Sequence, residues 1–131
     1  HKRFDIPLND PELFTDNPAM RAYLRADPYR LHRATARFLF ASHRLDRRLA
    51  TARDGAIRLP TTLLLASADR IIDNEATART VDRLTGRHAE VRTLDGAHTL
   101  EFEADPEMLY AVLGETLDRC TAREAESSAR P

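Results

Sequence analysis

The stretch Leu63-Leu64-Leu65-Ala66 constrains the fold more than any other part of the chain. It is a continuous apolar run, entered through Pro60-Thr61-Thr62 and left through Ser67-Ala68-Asp69. So short a run with no polar face reads as a strand buried on both sides, typical of a parallel sheet covered by helices. The pattern then changes. Glu75 to Leu84 reads as a helix with Ala76, Ala78, Val81 and Leu84 inward, and Gly86 stands just past its end. His88 to Leu94 alternates, Ala89, Val91 and Thr93 against Glu90, Arg92 and Leu94, as in a half-exposed strand. Asp105-Pro106 opens a last helix through Leu109, Val112, Leu113 and Leu117. Strand, loop, helix, strand, loop, helix is an α/β order and implies crossovers within a parallel sheet. Two strands alone make a poor sheet. The three leucines therefore call for neighbours that the chain does not obviously supply.

Two further regions flank this one, with divisions near Asp54-Gly55 and Cys120. Residues 1–16 read as irregular, because Pro7 and Pro11 break any helix. Asn17-Pro18 reads as N-cap and first residue of a short helix to about Ala26. Asp27-Pro28 repeats that signal and predicts a long helix over 28–53. Leu31, Phe38, Leu45 and Leu49 form one stripe on it, while Arg30, Arg33, Arg37, Arg44, Arg47 and Arg48 lie opposite. Such a helix should lie on something apolar. Residues 121–131 are polar and read as a frayed, flexible tail.

Composition excludes several classes of function. The net charge of −1 gives no electrostatic case for nucleic acid. Cys120 is the only cysteine, so no internal disulfide framework can form. No run approaches the roughly 18 apolar residues of a membrane span, and no signal-peptide core lies near the start. The expected location is the cytoplasm. The chain begins on His1 and its first methionine is Met20, which reads as a processed chain or a piece of something longer.

The chemistry lies at the ends of the two apolar runs. Asp69 follows the first; His98, in Asp95-Gly96-Ala97-His98, follows the second. In open parallel sheets, functional groups collect outside the carboxyl ends of the strands. A carboxylate beside a histidine can fix its tautomer and stabilise the imidazolium formed when it takes a proton. Histidine suits a general base because its ordinary pKa of about 6.5 lies near neutrality. Asp73 is the rival acid, although it or Asn74 can instead cap the following helix. His32, His43 and His88 have no ligand-spaced partner, so no metal site is implied. Glu101 and Glu103 read as solvated, or at most as tuning the local field.

The segments Leu64-Leu65-Ala66-Ser67-Ala68-Asp69-Arg70-Ile71-Ile72-Asp73-Asn74 and Asp95-Gly96-Ala97-His98 resemble the C-terminal third of α/β-hydrolase fold enzymes. The likeness is greatest to the monoacylglycerol lipase and lysophospholipase-like branch and covers roughly residues 57–118. Ala66 replaces a usual glycine near the strand end. The resemblance implies an α/β fold formed of the C-terminal part of an α/β-hydrolase parallel sheet with flanking helices, preceded by a helical cap segment. Residues 1–56 would be the cap or lid, residues 57–120 the C-terminal part of the core, and 121–131 the tail. The amphipathic helix could line an acyl pocket in the cap, or simply pack.

By the same resemblance, Asp69 is the acid and His98 the base of a Ser-Asp-His triad acting on an ester or lipid-like small molecule, with no cofactor. The nucleophile is missing. No G-x-S-x-G occurs, and Ser42, Ser67, Ser127 and Ser128 are the only serines. Ser67 lies two residues before Asp69 and cannot occupy the elbow. The implied partner is the N-terminal part of the same hydrolase, carrying a serine, or an Asp or Cys as in dehalogenase-like relatives. The other reading is a truncated, non-catalytic homologue that serves as a binding or assembly module through an open sheet edge.

Overall fold

The computed structural model describes residues 2–128. Its elements are β1 (Arg3–Asp5), α1 (Pro18–Ala26), β2 (Arg33–Thr35), α2 (Ala36–Thr51), β3 (Thr62–Ala66), α3 (Asn74–Thr85), β4 (Glu90–Leu94) and α4 (Glu107–Ser128), with short 3-10 turns at Pro7–Asn9, Pro11–Leu13 and Leu100–Phe102. This is a mixed helix and strand architecture around a small parallel sheet, as an α/β chain requires.

β3 and β4 pair in parallel, with Thr62 opposite Glu90 and Ala66 opposite Leu94. α3 carries the chain from one to the other. Its boundaries follow from local chemistry. The Asp73 carboxylate accepts the amide of Ala76 and caps the amino end. At the other end Gly86 turns left-handed at φ 65°, and the Arg87 amide closes onto the Asp82 carbonyl. The core is small and rich in alanine: Ala34, Leu65, Ala66, Leu84, Leu94, Ala97 and Val112. Thr62, Leu63 and Leu64 are only half-buried, since among the described residues β3 has a strand on one side alone.

The face of β4 that meets α4 is the charged one. Arg92 pairs with Glu115 at 2.7 Å, and Glu90 pairs with Arg119 at 2.6 Å. Val91, on the other face, is exposed.

Three sequence expectations need correction. The helix expected over 28–53 begins only at Ala36. Asp27 ends α1 instead, its carboxylate accepting the Tyr29 amide at 2.8 Å. Thr35, a β-branched residue, then caps α2 by accepting the Phe38 amide. Residues 1–16 are not wholly irregular either. Arg3–Asp5 pairs antiparallel with Arg33–Thr35, and Arg33 bonds Asp5 at 2.8 Å. Finally, α4 continues to Ser128 through the stretch read as a flexible tail. The run Thr121-Ala122-Arg123-Glu124-Ala125-Glu126 contains no glycine or proline and suits a helix; residues 129–131 lie outside the described residues.

Much apolar surface is uncovered. α2 buries no residue, and Phe40 is 64% exposed. On α4, Val112 is buried whereas Leu117 is 65% exposed. The protein exposes 10045 Å², against about 7,000 Å² for a compact monomer of its mass. Among the described residues, no helix is long and apolar enough to cross a membrane.

Candidate active site

The two strand-end loops are bonded to each other before either makes a site. Beyond the last ladder pair, the Ser67 amide donates to the Leu94 carbonyl at 2.8 Å and the Ala68 amide to that of Gly96 at 2.9 Å. The Ser67 hydroxyl donates to Asp95 at 2.8 Å. Ser67 thus works as a clamp between the loops. These bonds extend the parallel register past the sheet and fix where residues 69 and 98 stand relative to one another.

Asp69 begins the loop after β3. Its Oδ1 accepts two amides, Ile71 at 2.8 Å and Ile72 at 3.0 Å, which fix the carboxylate plane. Its Oδ2 lies 2.8 Å from His98 Nδ1. The side chain is only 6% exposed. Burial pushes its pKa up, but the bond with His98 and the two amide bonds outweigh that and hold the carboxyl below the usual range. An ionised acceptor at Oδ2 requires the proton of neutral His98 on Nδ1. Nε2, which has no hydrogen-bond partner among the described residues, is then the lone-pair nitrogen. The His98 side chain is 27% exposed, so the imidazole is not sealed from solvent.

His98 is delivered by a tight turn. Gly96 has φ 143°, in the region glycine favours, and Ala97 is fully buried. The Phe14 ring stands edge-on to the imidazole with centroids 5.9 Å apart, and the Thr99 amide donates to the Phe14 carbonyl at 2.8 Å. Arg70 reaches across to the Glu12 carbonyl and to Asp16, the latter at 3.2 Å. Residues 12–16 of the N-terminal segment therefore touch both strand-end loops.

The structure brings Asp69 and His98 together and gives Asp73 a different task, the cap of α3. Glu103 departs from the sequence reading. Far from being merely solvated, it accepts the Ala97 amide at 3.1 Å. Phe14, Thr15 and Glu103 carried no local sequence signal, because their partners lie as many as 88 residues away. His32 contacts Asn9 at 2.6 Å, remote from the pair in sequence and in bonding. His88 lines a cleft of about 440 Å³ with Pro60, Thr62, Glu90 and Arg119. That cleft lies at the opposite ends of the strands from Asp69 and His98.

A parallel β3–α3–β4 unit with an acid and a histidine after consecutive strands is the arrangement expected of an α/β-hydrolase, and the family comparison supports that class. More closely, the chain belongs to the serine aminopeptidase S33 family, whose model matches residues 1–105. That match takes in the N-terminal segment as well as both strand-end loops. No curated protein and no solved structure matches the chain.

Proposed function

We propose that this chain is the C-terminal portion of a serine hydrolase that cleaves carboxylic esters, akin to the monoacylglycerol lipase and lysophospholipase-like branch. Residues 1–56 serve as its cap, and the nucleophilic serine comes from an N-terminal part in the same or a separate chain. The observation that carries this reading is the 2.8 Å contact between Asp69 Oδ2 and His98 Nδ1. With Nδ1 engaged by Asp69, Nε2 is the ring nitrogen left to act as the base.

In this mechanism Nε2 takes the serine proton as Oγ attacks the ester carbonyl, and Asp69 stabilises the imidazolium. The proton then passes to the leaving alkoxide, giving an acyl-enzyme. His98 next deprotonates water, which releases the acid and restores the serine. The oxyanion donors accompany the nucleophile. The large apolar side chains exposed on α2 and α4 support the partner requirement, and a total surface roughly 3,000 Å² above that of a compact monomer leaves room for an obligate interface.

The same surface would equally serve a non-catalytic assembly module, so one experiment must separate the two. The complete hydrolase is treated with a fluorophosphonate probe, and turnover of a p-nitrophenyl ester is compared with that of an aminoacyl p-nitroanilide. The expected result is labelling of one serine and ester turnover that His98→Ala abolishes. Preferred anilide turnover would replace the ester assignment with the peptide-bond chemistry in the family's name. Absence of labelling, with ester turnover indifferent to His98, would leave only the assembly module.

A further inference from the structure

Glu103 lies five residues after His98, beyond the 3-10 turn Leu100–Phe102, and its carboxylate folds back under the histidine turn. Its Oε1 accepts the Ala97 amide at 3.1 Å. The same oxygen lies 3.4 Å from the Thr15 hydroxyl, which is also 3.2 Å from the Phe102 carbonyl, so one hydroxyl proton serves both acceptors. Thr15 is fully buried and itself accepts the Asn17 amide at 3.1 Å. The Glu103 stem also fills the space over Gly96, where a Cβ would come within 2.9 Å of Glu103 Cγ.

Ala97 is the residue immediately before His98, and its amide orientation sets the direction in which the histidine Cα–Cβ bond leaves the turn. On its other side the turn is held by the Ala68–Gly96 bond. Without Glu103, the buried Ala97 amide would lack its acceptor, a state that costs enough to reorganise the turn. We infer that Glu103, braced by Thr15 of the N-terminal segment, is a positioning residue for His98. It sets the imidazole against Asp69 without touching substrate. This inference rests on the proposed role of His98 as base, and it extends that role by making the N-terminal segment part of the base's support.

The test compares Glu103→Gln, Glu103→Ala and Thr15→Val with the parent protein. The Gln amide oxygen can still accept from Ala97, whereas Ala removes the acceptor. One readout is the downfield ¹⁵N-coupled proton resonance of His98 Nδ1, measured on the complete hydrolase without any substrate. The other is kcat and KM for the ester in the complete hydrolase. Glu103→Ala is expected to shift or broaden the Nδ1 proton and lower kcat by up to about 100-fold, the cost of an ångström-scale misplacement, with KM little changed. Glu103→Gln should restore the resonance and most of kcat, and Thr15→Val should fall between them. If Glu103→Ala does not fold, the contrast of Gln and Val with the parent decides. An unchanged Nδ1 resonance in both Glu103→Ala and Thr15→Val would overturn the inference, as would a Gln variant as impaired as Ala. Failure of the base assignment shows differently: turnover would be indifferent to His98→Ala while the resonance still responded to Glu103.

Discussion

Two regions of this protein are finished to very different degrees. Where the strands end, residues 12–16, 66–73 and 94–103 are laced together by Ser67, Arg70, Thr15 and Glu103 through bonds to main-chain and side-chain partners. Along α2 and the outer side of α4, by contrast, large apolar side chains stand in solvent: Phe38, Phe40, Leu45, Leu113 and Leu117. Polar bonding is directional and short-ranged, so a junction of a few short loops can be complete even when those loops are far apart in the chain. Apolar burial scales with area and needs an opposing surface. The contrast therefore teaches that the acid–histidine junction is held by bonds within this chain, whereas the apolar faces of α2 and α4 have no opposing surface among the described residues.

The largest expected effect tests the first half of that contrast. His98→Ala in the complete hydrolase should lower turnover of an ester by about 10⁶-fold, since no other group stands at the position of the base. Asp69→Asn should come next, near 10⁴-fold in the best-known triad, because the amide favours the wrong imidazole tautomer. Asp73→Asn should have little effect, for Asn caps a helix about as well as Asp. Steady-state kinetics on the three variants checks the order. Were Asp73→Asn worse than Asp69→Asn, the acid would be misassigned.

Next in size is Gly96→Ala. It places a Cβ in the carboxylate stem of Glu103 at a φ of 143°, a combination of strain and collision expected to cost about 1–3 kcal/mol. A lower urea midpoint with an unchanged slope would register it. The polar junction would then loosen while the apolar faces stayed as they are.

How much of this could be read from residues alone also divides along the same line. The β3–α3–β4 order and the placement of Asp69 and His98 were legible because each depends on a run of adjacent residues: an apolar strand, an Asp cap, a glycine stop. The start of α2 was misplaced because Asp27-Pro28 imitates a helix start, while the true cap, Thr35, gains its strand partner from Arg3 far earlier in the chain. Acidic residues near a loop usually face water, so in the sequence Glu103 reads as solvated or at most as tuning the local field; only tertiary proximity supplies the Ala97 amide. The bareness of α2 was not legible at all. A stripe of Phe and Leu states that a face is apolar, not whether its cover belongs to the same stretch of chain.

The second half of the contrast predicts a smaller, paired difference. Val112 is buried and Leu117 exposed on one helix. In this chain alone, Val112→Ala should cost about 1–2 kcal/mol, whereas Leu117→Ala should stay within roughly 0.5 kcal/mol. In the complete hydrolase Leu117→Ala should acquire a cost if the outer face of α4 is covered there. Equal costs for Leu117→Ala in both settings would mean that α4 keeps that face open, and the interface would have to lie on α2 and the free edge of β3.

The smallest effect is one of pH, and it isolates the charge on Asp69 from its shape. The folded protein holds this carboxyl below the usual carboxylate range through its bonds to His98 and the Ile71 and Ile72 amides, against the opposing pull of burial. The unfolded chain, with an Asp pKa of about 3.9, takes up the proton first. Ionisation of Asp69 therefore adds stability that is fully present above that value and is lost as pH falls through the lower folded pKa. Asp69→Asn cannot titrate, so its stability lacks this slope. Denaturant unfolding of parent and variant from pH 7 down to 3 should show the two curves converging below about pH 4. A constant gap throughout would mean that the folded carboxyl titrates at its ordinary value. The bonds to Oδ1 and Oδ2 would then orient Asp69 without favouring its charge, and the junction would be shaped for a histidine but not electrostatically prepared to hold one protonated.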